Sequence, residues 1–105
     1  MAQGLVPLTD HEIAERLEQL PGWEQQGNEI TRRYDIRYHA GVAVIVHVAD
    51  RERRIQHHAD IDLRIDHLRF GITTHDAGHV LTAADFELAA RIDAIVEAHK
   101  AIPLD

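Results

Sequence analysis

Apolar positions recur with a helical period near both ends of the chain and alternate strictly in its middle, so the pattern lays out the order of elements. Ile13, Leu17 and Leu20 form one helical stripe. The residues before it write a helix start, with Thr9 as N-cap, Glu12 closing a capping box, and Leu8 with Ile13 as a hydrophobic staple. Pro21-Gly22 ends that helix. Residues 23–26 and 29–36 then read as two strands around a Gly27-Asn28 turn, with Ile30, Tyr34 and Ile36 facing inward and Arg32 the exception on that face. Residues 42–48 are β-branched by composition, yet 49–54 are helix formers with no break between, and the length of the stretch from 38 to 55 predicts a helix.

Residues 60–65 and 68–73 alternate on either side of Asp66-His67, which predicts a hairpin with a two-residue turn. Such a turn pairs Leu63 with Phe70 and Ile61 with Ile72, and so brings His58 opposite His75 at the open end. The last element repeats the grammar of the first: Thr82 as N-cap, Asp85 at the box position, Leu81 with Phe86 as staple, and a stripe of Phe86, Ala89, Ile92 and Val96. The predicted fold is α+β in the order α-β-β-α-β-β-α, a four-stranded antiparallel sheet with three helices on one face, as a single domain over residues 1–105.

Composition narrows the chemistry. A chain of 105 residues with 45% hydrophobic content is enough for one core. It has no cysteine, which excludes disulfides, thiolate metal sites and a cysteine nucleophile. A net charge of −7 argues against nucleic acid as a partner. Residues 1–7 hold no basic leader and no segment is apolar enough to span a bilayer, so a cytoplasmic protein without a membrane partner is expected.

Nine histidines are the unusual feature. His58 and His75 fall at the open end of the hairpin, on its polar side, with His57 next to His58 completing a cluster, and imidazole is the side chain best suited to exchange protons near neutrality. Two plainer alternatives stand beside general acid-base catalysis. His57-His58 would close the second helix, where a cation favours the C-terminal dipole, while His75 caps a strand. Otherwise His57, His58, His75 and His79 would form a metal site, although no thiolates complete it. The remaining histidines, His11, His39, His47, His67 and His99, and the charged run Asp50-Arg51-Glu52-Arg53-Arg54 read as ordinary exposed or interface positions.

The segment His57-His58-Ala59-Asp60-Ile61-Asp62-Leu63, followed by Thr73-Thr74-His75-Asp76-Ala77-Gly78 and then Asp85, resembles the signature of pterin-4a-carbinolamine dehydratases. Leu20-Pro21-Gly22-Trp23 is similar to that family's early Gly-Trp element. The resemblance implies dehydration of 4a-hydroxytetrahydropterin to quinonoid dihydropterin, which recycles the cofactor of aromatic amino acid hydroxylases. It further implies no cofactor or metal and a dimer or tetramer. On this likeness His57 and His75 match the acid-base histidines and His58 helps bind the pterin, with Asp60, Thr74 and Asp85 on the substrate side. Four features depart from the family pattern: Ala59 replaces a usual proline, Ile65 a common aromatic residue, Arg53 an acidic residue, and the loop 78–82 is one residue longer. These departures keep open a second expectation, a non-catalytic binding or assembly module on the same fold, since animal relatives also serve as dimerisation cofactors of a transcription factor.

Overall fold

The computed structural model describes residues 6–100, so residues 1–5, part of the stretch on which the expected cytoplasmic location rests, lie outside the described residues. The order is α1 (Asp10–Glu18), β1 (Glu24–Gln26), β2 (Glu29–Tyr34), α2 (Tyr38–Ile55), β3 (Asp60–Leu63), β4 (Leu68–Ile72), a 3-10 turn (His75–Ala77) and α3 (Ala83–Lys100), the predicted α-β-β-α-β-β-α. All strand pairs are antiparallel, and the sheet order is β1-β2-β4-β3.

Local signals formed the elements they announced. Thr9 accepts the Glu12 N–H while the Glu12 carboxylate accepts the Thr9 N–H, a complete capping box. The β-branched run at 42–48 lies within α2, because Val44 and Val48 fall on the same helical face and are fully buried there. Inward strand residues Ile30, Tyr34, Leu68, Phe70 and Ile72 meet Ile13 of α1, these valines, and Phe86, Leu88, Ala89, Ile92 and Val96 of α3 in one core. Ile36 packs against that core from beyond the end of β2.

Arg32, the polar exception on the inward face, reaches the Asp93 carboxylate of α3 at 3.0 Å and the Pro21 carbonyl at 3.0 Å. The same Asp93 oxygen accepts the Trp23 indole N–H at 2.9 Å and the Tyr34 hydroxyl. Burial, followed by the bond to Asp93, raises the Tyr34 pKa far above its ordinary value, so the phenol remains a donor. Gly22 at φ 98° completes this corner, since a Cβ there would lie 2.7 Å from the Arg32 guanidinium carbon.

The β3–β4 hairpin differs from expectation. Leu63 pairs with Leu68 and Ile61 with Phe70, and Arg64 N–H bonds the His67 carbonyl across a four-residue loop. A two-residue turn centred on Asp66-His67 would need left-handed residues, and among the described non-glycine residues only Gln56 and His79 have positive φ. The slip is by two, so Ile61, Leu63, Phe70 and Ile72 keep their common face. Ile65, expected on that face, instead sits in the loop at 83% exposure. Projected onward, the true register no longer sets His58 opposite His75.

Candidate active site

The segment carrying His57 and His58 leaves α2 through a left-handed residue. α2 ends on Gln56 (φ 55°, ψ 43°), whose N–H and that of His57 both return to the Glu52 carbonyl. The chain therefore turns sharply, and residues 57–59 cross toward β3. Glu52, only 4% exposed, closes this turn from below: its Oε2 accepts the Ala59 N–H at 2.8 Å. Burial raises the Glu52 pKa, opposed by that hydrogen bond and by the attraction of His58 and His57. The charged run at 50–54 is thus not wholly an exposed face as expected. Arg53 points to solvent and pairs with Asp50, while the supporting carboxylate stands one residue earlier.

His57 is anchored by the Asp85 carboxylate. Its Nε2 lies 2.7 Å from Asp85 Oδ1, with Asp85 fully buried and the His57 side chain 11% exposed. The second Asp85 oxygen accepts the Thr82 N–H at 2.8 Å and the Thr74 hydroxyl at 2.7 Å. Proton counting orders the rest: Thr74 spends its hydrogen on Asp85, so at 2.8 Å it accepts that of Thr82, whose oxygen accepts the Ala84 N–H. A carboxylate oxygen only accepts, so a neutral His57 donates from Nε2 and keeps its lone pair on Nδ1. Asp85 therefore caps α3 as the sequence indicated and also orients His57.

Beyond β4, Thr74 is bridged to Val80, and His75 opens the 3-10 turn between them. Gln56, His57, His58, Thr74, His75 and Asp76 line one cleft of about 170 Å³. The structure thus joins His57, His58, His75 and Thr74, with Asp85 directly behind. The route is a loop folding back, not the expected cross-strand pair. Asp60 stands apart, exposed at the start of β3 opposite Gly71 and outside the cleft lining. Ile65 also lies elsewhere, beside Arg37, Tyr38 and His39. His79 bonds His75, Nδ1 to Nδ1, at 3.1 Å. Among the described residues no group of three or more His, Cys, Asp or Glu side chains is arranged to hold a metal ion.

Of two supporting residues, Glu52 was expected to be an exposed charge and His79 was expected only as a candidate metal ligand, not as the partner of His75. Glu52 had a signal, since it continues the buried Val44, Val48 spacing by one more turn. His79 had none, because its contact depends on an irregular loop.

Comparison with known proteins bears on what this cleft is for. Residues 6–95 match the family model described as pterin 4 alpha carbinolamine dehydratase, and the chain belongs to that family. A Chloroflexus aurantiacus protein named "Putative pterin-4-alpha-carbinolamine dehydratase" is 46% identical over 90 residues, covering 85% of this chain and 96% of its own. A Streptomyces avermitilis protein of the same name is 36% identical over 96 residues, covering 90% of this chain and 95% of its own. Among solved structures, the transcriptional coactivator/pterin dehydratase from Brucella melitensis superposes with a TM-score of 0.81 at 22% identity, over 87% of this chain and 99% of that one. A pterin dehydratase-like protein described as a RuBisCO assembly factor in the alpha-carboxysome gives 0.59 at 20% identity, over 71% of this chain and 89% of that one. At these identities the two structures speak to the fold.

The environment of Glu52 generates a pH test. Its folded pKa is raised above the ordinary 4.5, so the folded state holds that proton more tightly than the unfolded chain. Its contribution to stability is full below 4.5 and is lost as pH rises through the raised value. Glu52→Gln keeps an acceptor for Ala59 but removes the titration. Denaturant midpoints across that window should show wild type losing stability relative to the variant as pH rises. A constant difference would contradict this.

Proposed function

We propose that this protein dehydrates 4a-hydroxytetrahydropterin to quinonoid dihydropterin, with His57 as base and His75 as acid. The observation that carries the proposal is the buried Asp85 carboxylate behind His57, in a cleft whose wall also includes His75. A histidine serving only the dipole of α2 has no use for a carboxylate on a different helix. Family membership supplies the substrate class. In the reaction the N5–H proton passes to His57 Nδ1, and its electron pair forms the N5=C4a double bond. The C4a–O bond breaks, and the hydroxyl leaves as water with a proton from His75. Protons return through solvent, and no electron is transferred, so the step requires neither metal nor redox cofactor. His58 and Asp76 complete the cleft wall against the pterin. Asp60, on the sheet edge, has no part in this scheme.

The rival is an assembly module without catalysis, a reading favoured by the neighbour described as a RuBisCO assembly factor. Rates on freshly generated 4a-hydroxytetrahydropterin separate the two. Wild type should exceed the buffer rate, and His57→Ala or His75→Ala should each cost about 10²–10⁴ in kcat with the fold retained. Wild type matching buffer would leave the assembly module.

Self-association is part of the same proposal. The open face of the sheet is polar, carrying Arg33, Asp62 and Arg69, so it is not the apolar surface a partner copy would cover. That surface lies on α2, where Tyr38, Val42 and Val46 recur at helical spacing with exposures of 45%, 39% and 65%. A second copy burying this stripe gives an isologous dimer. Light scattering should show a dimer or tetramer, shifted toward monomer by Val46→Asp. A monomeric wild type at high concentration would refute it.

A further inference from the structure

His79 occupies a position that the backbone would give to glycine. It follows Gly78 (φ 87°) with φ 60° of its own, a second consecutive left-handed residue. Its N–H bonds the Thr74 carbonyl at 3.0 Å, and the Gly78 N–H bonds that of His75 at 3.1 Å. The loop therefore closes by backbone hydrogen bonds alone and does not need an imidazole at position 79. Yet the side chain stands edge-on against His75, with ring centroids 4.6 Å apart and an interplanar angle of 89°, and the two Nδ1 atoms are 3.1 Å apart. A hydrogen bond between two imidazole nitrogens has one donor and one acceptor, so it couples the tautomer of one ring to that of the other. His79 lies outside the cleft lining and so does not meet the substrate there.

The direction of that bond follows from the other histidine. The bond from His57 Nε2 to Asp85 leaves a lone pair on Nδ1, which makes His57 the base. The dehydration then needs an acid on the opposite side, a His75 bearing its proton on Nε2. That tautomer has an unprotonated Nδ1, which must accept. We infer that His79 is a positioning residue, donating from Nδ1–H to His75 Nδ1 and thereby holding His75 as the Nε2–H acid of the cleft; as the Nε2 proton leaves, the shared proton passes to His75 Nδ1 and solvent protonates the exposed His79 at Nε2, so both rings end neutral. The inference rests on the acid-base reading of the cleft proposed above. A left-handed backbone brings the donor into reach, as expected where an uncommon conformation serves a site.

His79→Gly is the suitable variant, because glycine adopts φ 60° freely and every backbone bond of the loop is retained. Two measurements apply, the long-range proton–nitrogen imidazole spectrum of His75 and the dehydratase rate. Wild type should show His75 as the Nε2–H tautomer, and His79→Gly should show a mixture at unchanged thermal stability. kcat should drop by about 10- to 100-fold with KM unchanged, the scale typical of an outer orienting partner. A His75 that carries its proton on Nδ1 in wild type, or a spectrum and kcat untouched by His79→Gly, would overturn the inference. A tautomer shift in a protein with no dehydratase activity would instead uphold the His79–His75 pair and sink the proposed reaction.

Discussion

A single buried carboxylate holds the candidate site together. Asp85 is fully buried, and a charged group in that position is tolerable only when its oxygens are satisfied. Oδ2 takes the Thr82 N–H and the Thr74 hydroxyl, and Oδ1 takes His57. The start of α3 adds a favourable dipole, since the carboxylate lies within the first turn. Because Thr82 begins α3, Thr74 follows β4 and His57 follows α2, one side chain fixes three segments that are remote in sequence. Structural capping and histidine orientation are here the same set of bonds.

The rest of α3 packs into the core and is anchored at a second carboxylate. About two turns further along the helix, Asp93 gathers Trp23, Arg32 and Tyr34 and ties the helix to the β1–β2 end of the sheet. Between the two carboxylates, Leu88, Ala89 and Ile92 are completely buried. The helix is thus apolar in its middle and polar at two anchoring points, one holding the fold's far corner and one presenting the site. The cleft histidines lie outside this core, so replacing His75 tests chemistry with little effect on packing, whereas replacing His57 also takes the partner of Asp85 Oδ1 away.

Helix starts were legible in the sequence because they are written in adjacent residues: Thr9 with Glu12, and Thr82 with Asp85, act as their spacing indicated. The residues of the cleft were legible too, through the pattern His57-His58 and Thr74-His75. What the sequence did not carry was the path between them. Hairpin register depends on which loop closes it, and the alternation of residues 60–65 suits a two- or four-residue loop equally, so Ile65 and the His58–His75 pairing were misplaced. Glu52 was hidden by its charged neighbours, although the buried stripe of α2 runs through it. Asp93 and His79 act across long or irregular separations that no local period encodes. The departures at Arg53 and Ile65 look different once placed, for one side chain faces solvent on Asp50 and the other lies outside the histidine cleft.

The most direct test of this account is the dehydratase rate of Asp85→Asn on freshly generated 4a-hydroxytetrahydropterin, read beside its thermal stability. The asparagine carbonyl still accepts the Thr82 N–H, while its amide donates to His57 Nε2, which forces the imidazole proton onto Nδ1 and removes the base. The account predicts a folded protein whose kcat falls by about 10²–10⁴ relative to wild type. A folded Asp85→Asn variant with the wild-type rate would contradict it.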